Sequence, residues 1–570
     1  MYMCIPSQHI DFNLARTQRR SYRKTQKPPT PKQTHQMVLR SARYGHWCRL
    51  ITCKPRSHRL PITRKHEVCM QRLPQISIRT FSSSTSPIPP SFAPKPIVAT
   101  KPIRENPGFY SQNCLNRNLP LESTYPIRIK KLSDILFELR SSLNLMRGKQ
   151  NVLGAKIKAA ALRRNEEPEE WKDLQAQAKV LKRQISTQEA VEQQLEDEMN
   201  MLAAQLPNLT HPDTPIQGKL NVVEYINKGK LPANSQTLPK TTEKQIPELL
   251  YRGAPGISHV EIGTELGILD FSSSSKTSGW GWYFLHGDAV LLEQALIQYS
   301  LACARSKGWN LVSPPSIVYT HIAGACGFKP RDNNNEQQIY HISQGSAFEG
   351  SQDSSRPELC LAGTAEIPLA GMFANTALPK AKFPKKMVGV SRCYRAEAGS
   401  HGLATKGLYR VHEFTKVELF AWTLPDPDLS DQTFNEILDL QRDIITSLEI
   451  PARVISMPSD DLGAPAYRKY DIEAFMPSRK GEKYGGWGEV TSVSECTDYQ
   501  ARRLNARCKY PDGKLGFLWS LNGTALAVPR IITAILENNW DGAKREVRIP
   551  EVLRPYMGGL ELIKNSESAP

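Results

Sequence analysis

Residues 387–420, MVGVSRCYRAEAGSHGLATKGLYRVHEFTKVELF, leave a chain few ways to fold. Side-chain character alternates over 387–395 and again over 408–420, and a Gly-rich, small and polar segment over 397–407 separates the two runs. The pattern predicts two strands of a β-hairpin joined by a loop longer than a tight turn requires. Successive side chains of a strand point to opposite faces, so Arg410, His412, Phe414 and Glu418 share one face if no bulge intervenes. That face offers a guanidinium for phosphate, a ring for stacking on a base and a carboxylate for an ammonium group. Phe414 and Glu418 would stand about 13 Å apart at strand rise, a span that fits a base at one end and an amino acid at the other. An amphipathic hairpin with a charged solvent face has the same periodicity, so the pattern alone does not decide between them.

Composition places charge at one end. The chain has 570 residues, room for two or three domains, and a formal net charge of +18. Residues 1–100 hold 18 Lys and Arg against only Asp11 and Glu67, and the remainder carries 56 basic and 54 acidic residues. Contact with nucleic acid in the body of the chain therefore has to come from local patches rather than from overall charge. No apolar run approaches the ~18 residues of a membrane span, so no membrane association is expected. The 11 cysteines form no CxxC pair and no Cys/His cluster at zinc spacing, which points to reduced, buried thiols.

Residues 1–95 are basic, rich in Ser and Pro and almost free of acids, the composition of a mitochondrial targeting segment. Arg79 precedes an aromatic and a serine cluster in IRTFSSSTS, as at many matrix-processing sites, and Met37 or Met70 are alternative starts to Met1. A basic arm that binds RNA is the other reading of the same composition. Further on, Leu136, Leu139, Leu143, Met146, Leu153, Ile157 and Ala160 keep the 3/4 spacing of a coiled-coil seam, broken at Gln150. A turn is expected over 164–170, containing Pro168. Trp171, Leu174, Ala178, Leu181, Ile185, Leu195, Met199 and Leu202 then carry a second seam, with polar breaks at Gln188 and Glu192. Each helix is expected to extend on the order of 40 Å. Residues 128–164 hold ten basic residues and two acids, and 165–205 hold ten acids and four basic residues. Opposite charge favours antiparallel pairing, with the first helix as the phosphate-binding side. A solvated structural coiled coil has the same pattern.

YRAEAGS followed by GLYRVHEFTKVEL resembles motif 2 of the class II aminoacyl-tRNA synthetases, in the form found in seryl-tRNA synthetases. TAE at 364–366 and SLNGTALAVPR at 520–530 resemble the serine-binding and motif 3 segments of that family, in the same order. Residues 288–315 resemble motif 1, with Pro314 in the usual proline place. KPIRENPGFYSQN, from Lys101, resembles the family's opening segment. The resemblance runs from 101 to 563 and is weakest at 219–245 and 331–357, the latter a polar run read as a surface loop. It implies an α+β fold, an antiparallel sheet flanked by helices, behind a two-helix coiled-coil arm. The implied domains are a targeting extension over 1–95, a tRNA-binding domain over 101–218, a catalytic domain over 219–563 and a tail over 564–570. Motif 2 then covers 387–420 and motif 3 covers 515–538.

The resemblance also implies the chemistry. Serine would be activated by ATP to seryl-adenylate and transferred to tRNA(Ser), in a homodimer of the mitochondrial matrix. Arg395 would bridge the serine carboxylate and the α-phosphate, and Arg410 and Arg530 would hold the β- and γ-phosphates. Phe414 would stack on adenine, with Glu397 and the backbone of Val411, His412, Glu413 and Phe414 reading its edge beside Ala396. Mg2+ would sit on Glu489 and Ser492, hard oxygen ligands that suit it, within Glu489, Val490, Thr491 and Ser492. Val493 and Glu495 stand where the family more often has Cys and Asn. Glu418 and Thr364 would take the serine ammonium, with Ala365 and Glu366 close by, and Asn522 and Thr524 would close on the hydroxyl. Asn522 and Thr524 could equally cap the helix that follows, where Pro529 is tolerated only in the first turn. Arg140, Arg147, Lys149, Lys156 and Lys158 would grip tRNA. A catalytically inactive RNA-binding relative would show a broken motif arginine, and none is broken. The threonyl and prolyl enzymes lack this basic and acidic arm pair.

Overall fold

The computed structural model describes residues 93–94, 96–163, 168–218, 220–230, 256–328, 338–343, 357–397, 407–479 and 485–565. All but residues 93–94 of the expected targeting extension, most of 331–357 and residues 398–406 of the hairpin loop lie outside these.

The arm is two antiparallel helices, α1 (Tyr125–Ala161) and α2 (Pro168–Gln205). All the seam positions named above are buried or half-buried, and so are the polar breaks Gln150, Gln188 and Glu192. The seam therefore runs unbroken through them. With 37 and 38 residues the helices reach about 55 Å rather than 40 Å. The turn is also shorter than 164–170: α2 begins at Pro168, because the first helical turn needs no N–H from proline. Cross-helix pairs Arg128–Glu198 and Arg147–Glu189, with Arg140 against Glu192 and Glu196, fix the antiparallel register.

At the arm's base Ile103, Cys114, Ile129, Leu132, Met199 and Leu206 form a separate small core. Arg117 fastens that base to the body. Its buried guanidinium donates to the carbonyls of Asn208 (3.0 Å), Ala466 (2.9 Å) and Gly463 (2.6 Å).

The body is built on an eight-stranded sheet. Its strands are β1 (Asn221–Ile226), β2 (Asn310–Val312), β3 (Lys385–Tyr394), β4 (Glu413–Thr423), β5 (Ala452–Ser456), β6 (Arg468–Phe475), β7 (Trp487–Thr497) and β8 (Trp519–Ala527). They lie in the order β1-β5-β6-β7-β8-β4-β3-β2, antiparallel except for the β2–β3 pair. Strand β1 comes from the polar 219–245 segment, where a six-residue run is too short to stand out. The strand Leu562–Lys564 carries order one residue into the expected tail.

Helices α3 (His259–Glu265), α4 (Asp288–Ser306), α5 (Pro427–Ser447), α6 (Tyr499–Leu504) and α7 (Val528–Asn538) complete the frame used below. One face of β4 sends Val417, Leu419 and Ala421 into the main core with Leu292, Ile437 and Ile531. The other face sends Phe420 and Trp422 into a second core with Ile322, Ile367 and Leu504. Further along that second face the apolar side chains give way to Phe414, Lys416 and Glu418. Of Val493 and Glu495, the first joins the main core. The second, buried, accepts from Ser430 Oγ (2.6 Å) and pairs with Arg468 (2.8 Å), which ties β6 and β7 to α5.

Candidate active site

The site is assembled where β4 and β8 run side by side. Glu418 pairs with Thr524 and Lys416 with Ala527, so β8 carries one extra residue, Ala525, between them. That bulge turns Thr524 and Ala527 to the same side, and both line the cleft above the sheet. Asn522 and Thr524 thus belong to the strand rather than capping α7, whose N-cap Ala527 makes no side-chain hydrogen bond. Pro529 falls in the helix's first turn, as its geometry requires.

Two buried carboxylates meet there. Glu418 Oε2 pairs with Lys416 Nζ at 2.6 Å and accepts from Thr524 Oγ1 at 3.2 Å. Glu366 Oε1 accepts from Gln500 Nε2 (2.6 Å) and Asn522 Nδ2 (3.0 Å). Burial, then the nearby charge of Glu418, pushes the Glu366 carboxyl up to about 7, while Lys416, Gln500 and Arg395 work the other way. Thr364 Oγ1 accepts from the Glu366 N–H (3.3 Å), and both Thr364 and Ala365 are buried. The result is a buried polar cluster in which Glu418 is held by Lys416 and Thr524, and Glu366 by Gln500 and Asn522.

Beside it lies an open cleft lined by Arg395, Glu397, Tyr409, Arg410, Val411, Phe414, Glu489, Val490, Thr491, Ser492 and Arg530. The Arg395 guanidinium lies over the Phe414 ring, 5.2 Å from its centroid. Arg410 pairs with Glu397, whose backbone is left-handed at φ 47°. Arg530 donates to Glu489 Oε2 (3.0 Å) and to the Glu489 carbonyl (2.9 Å). Burial pushes the Glu489 carboxyl up, but Lys469 and Arg530 outweigh it and hold the group at about 2. Glu489 is therefore a fixed anion at neutral pH.

Three expectations change. Arg410 and His412 are not in the strand: residues 407–409 form a 3-10 turn and β4 begins at Glu413. Only Phe414 and Glu418 of the four share the strand face, joined by Lys416. The His412 ring faces away from the cleft, stacked on Trp282 at 5.9 Å with Trp280 and Tyr340 at its edges. Its backbone is committed too, donating to the Gly281 carbonyl (3.0 Å) and accepting from Arg395 N–H (2.9 Å). Glu413 likewise points to Arg392 at 3.8 Å, and Ala396 is absent from the cleft lining, its N–H donating to the Gln338 carbonyl at 3.2 Å. Lys416 and Gln500 were missed by sequence reasoning. Lys416 shares the parity of Phe414 and Glu418, which was a readable signal; Gln500 lies on α6, and nothing local marks it.

Among the described residues no group of three or more His, Cys, Asp or Glu could hold a metal ion, and the seven cysteines are free. No described helix is long and apolar enough to cross a membrane.

Comparison with known proteins fits this geometry. The profile of the seryl-tRNA synthetase N-terminal domain matches residues 98–210, and that of the tRNA synthetase class II core domain (G, H, P, S and T) matches 347–539. The chain is 38% identical over 499 residues to the mitochondrial serine–tRNA ligase of Saccharomyces cerevisiae, covering 87% of this chain and 100% of that one. It is 38% identical over 503 residues to the mitochondrial serine–tRNA ligase of Schizosaccharomyces pombe, covering 87% and 95%. The structure of seryl-tRNA synthetase from Pyrococcus horikoshii complexed with ATP superimposes with a TM-score of 0.69 at 31% identity, over 82% of this chain and 100% of that one. An arm, a motif 2 hairpin and a motif 3 strand and helix, matched along almost the whole length of these relatives, leave one conclusion: the chain belongs to the seryl-tRNA synthetase family of class II.

Proposed function

We propose that this chain activates L-serine with ATP and transfers the seryl group to tRNA(Ser) in the mitochondrial matrix, working as a homodimer. The observation that carries this reading is a buried cluster of two carboxylates, Glu366 and Glu418, beside an arginine-lined cleft. In the first step a serine carboxylate oxygen attacks the α-phosphorus of ATP and pyrophosphate leaves. In the second a terminal tRNA hydroxyl attacks the adenylate's carbonyl carbon and AMP leaves.

Chemistry of this kind depends on positioning and on neutralising charge. Arg395 stands between pocket and cleft and can address both a carboxylate and a phosphate with its planar fork. Glu418 takes the serine ammonium, with Lys416 held against it, and Phe414 offers its ring to adenine. Arg410 and Arg530 take the outer phosphates. At the other end of the pocket Gln500 and Asn522 both occupy Glu366 Oε1, which leaves Oε2 for the serine hydroxyl. A pocket built this way rejects alanine because its buried polar groups would lose partners. Glu489 and Ser492 line the cleft together, and an ionised carboxylate with a hydroxyl fits Mg2+, which keeps few protein ligands and completes its shell with water and phosphate. Bound there, the ion would neutralise phosphate charge.

The exposed arm lysines 149, 156 and 158 form no ion pair among the described residues and are the phosphate contacts of this reading. Half-exposed Leu291 and Leu311, on α4 and the sheet's edge strand β2, support a dimer contact there. The basic 1–95 segment and the mitochondrial relatives support the compartment.

The test is pyrophosphate exchange into ATP by the purified chain with each of the twenty amino acids. Serine alone should support it. Equal exchange with threonine or proline would remove the serine assignment.

A further inference from the structure

We infer that His259, which lies outside the cleft, is a positioning residue that sets the turn carrying Tyr409 and Arg410. The inference rests on reading the cleft as the ATP site. His259 opens α3 behind Ser258, whose capping box with Glu261 fixes the helix start. Its imidazole is buried, only 5% exposed. One ring nitrogen, Nδ1, lies 2.8 Å from Glu537 Oε1; the other, Nε2, accepts from the Leu408 N–H at 3.0 Å. A carboxylate can only accept and a backbone amide can only donate, so the two partners together hold the ring neutral with its hydrogen on Nδ1.

Leu408 lines the cleft, and Glu537 shares a helix with a residue that does. Leu408 is the middle of the Gly407–Tyr409 turn, and the Tyr409 ring lies against the guanidinium groups of Arg479 (3.9 Å) and Arg530 (4.6 Å). The Tyr409 carbonyl accepts from Arg530 Nε at 3.3 Å, and its hydroxyl donates to the Glu489 carbonyl at 3.3 Å. Glu537 is on α7, the helix whose first turn carries Arg530, and it also accepts from Ser478 N–H (3.0 Å) and Ser478 Oγ (2.8 Å), next to Arg479. The imidazole thus joins the turn before Arg410 to the far end of Arg530's helix. Contact is close on the turn's side as well. Gly407 has φ 72°, and a Cβ there would stand 2.1 Å from His259 Nε2.

Serine-dependent pyrophosphate exchange by the full chain tests the role, with ATP and serine varied separately. His259→Phe should raise the KM for ATP about tenfold and leave the KM for serine within about twofold. His259→Gln, whose side-chain carbonyl can accept from the Leu408 N–H, should bring the ATP KM back within about threefold of the parent. Gly407→Ala should likewise raise the ATP KM, since its Cβ would meet both His259 Nε2 (2.1 Å) and Val260 Cγ2 (2.6 Å) on a left-handed backbone and displace the turn. If His259→Phe does not fold, the Gln and Gly407 variants decide. An ATP KM unmoved in both His259→Phe and Gly407→Ala overturns the inference. So does a common rise of both KM values, or a Gln variant no better than Phe. A parent chain with no serine-dependent exchange would instead remove the reading of the cleft.

Discussion

Arm and cleft both set cations against carboxylates, and the difference between them is water. In the arm, Arg140 faces Glu192 and Glu196 with 49% of its side chain exposed, and Arg147 faces Glu189 with 47% exposed. In the site, Lys416 and Glu418 have 8% and 3% exposed. Exposed pairs are worth about 0–1 kcal/mol, since solvent screens them and each long side chain loses freedom. A buried pair is weak evidence of net stability, yet breaking it strands a charge without water. The arm's pairs can therefore be exchanged at little cost, whereas breaking the site's pair disturbs folding and chemistry together.

The largest effect is therefore expected at Lys416. Lys416→Met leaves Glu418 buried with Thr524 as its remaining partner among the described residues, and stability should fall by about 3–5 kcal/mol. Combining it with Glu418→Leu removes the stranded charge and should restore most of the melting temperature while exchange stays absent. A single variant that melts like the parent would break the contrast between the two regions.

Glu366 sharpens the contrast through pH. Its carboxyl is raised to about 7 in the folded chain, mainly by burial and then by Glu418. The folded state thus holds a proton that the unfolded state has released, and stability from this group is full below the ordinary carboxyl range and lost as pH rises towards 7. Glu366→Gln should flatten that part of the melting profile. Serine KM should rise below neutrality in the parent as the carboxylate is protonated, and the Gln variant should lose that dependence. Gln500→Leu takes away one of the two amide donors on Oε1, and serine KM should rise about tenfold with ATP KM unmoved. A rise in both would place Gln500 in the core rather than in the pocket.

How much of this was legible in sequence follows the same division. Both arm seams could be read because 3/4 spacing is local, and even the polar breaks at Gln150, Gln188 and Glu192 kept the register. Charge placed the two helices antiparallel, and the ion pairs agree. Motifs singled out Arg395, Phe414, Glu489 and Arg530, which line one cleft, and Glu418, which is bonded to Thr524 of its lining. What periodicity could not supply was the strand's starting residue: 407–409 coil into a turn whose Leu408 amide is bonded to His259, 149 residues upstream. Side chains before Glu413 therefore do not alternate, and His412 turns to Trp282 while Arg410 reaches Glu397. The β8 bulge at Ala525 is equally silent, because it is defined only by the partner strand. Gln500 meets Glu366 across 134 residues, a contact no window along the chain contains.

In the arm, effects should be smaller and confined to the second step. Replacing Lys149, Lys156 and Lys158 together by Ala should leave exchange unchanged, raise the KM for tRNA about tenfold and reduce its salt dependence. Arg140 and Arg147 carry the same charge on the same helix but spend it on α2. Their replacement by Ala should cost under about 1 kcal/mol of stability and move the tRNA KM by no more than about twofold. The sequence alone gives no reason to separate these arginines from the lysines, since all five fall in one basic helix. The separation comes from register: Arg140 and Arg147 sit beside the seam, where α2 presents Glu189, Glu192 and Glu196, and the lysines have no carboxylate of the described arm within pairing distance. A tRNA KM as sensitive to the arginines as to the lysines would mean that the arm pairs open when RNA binds, and that exposure, not pairing, decides which cations reach it.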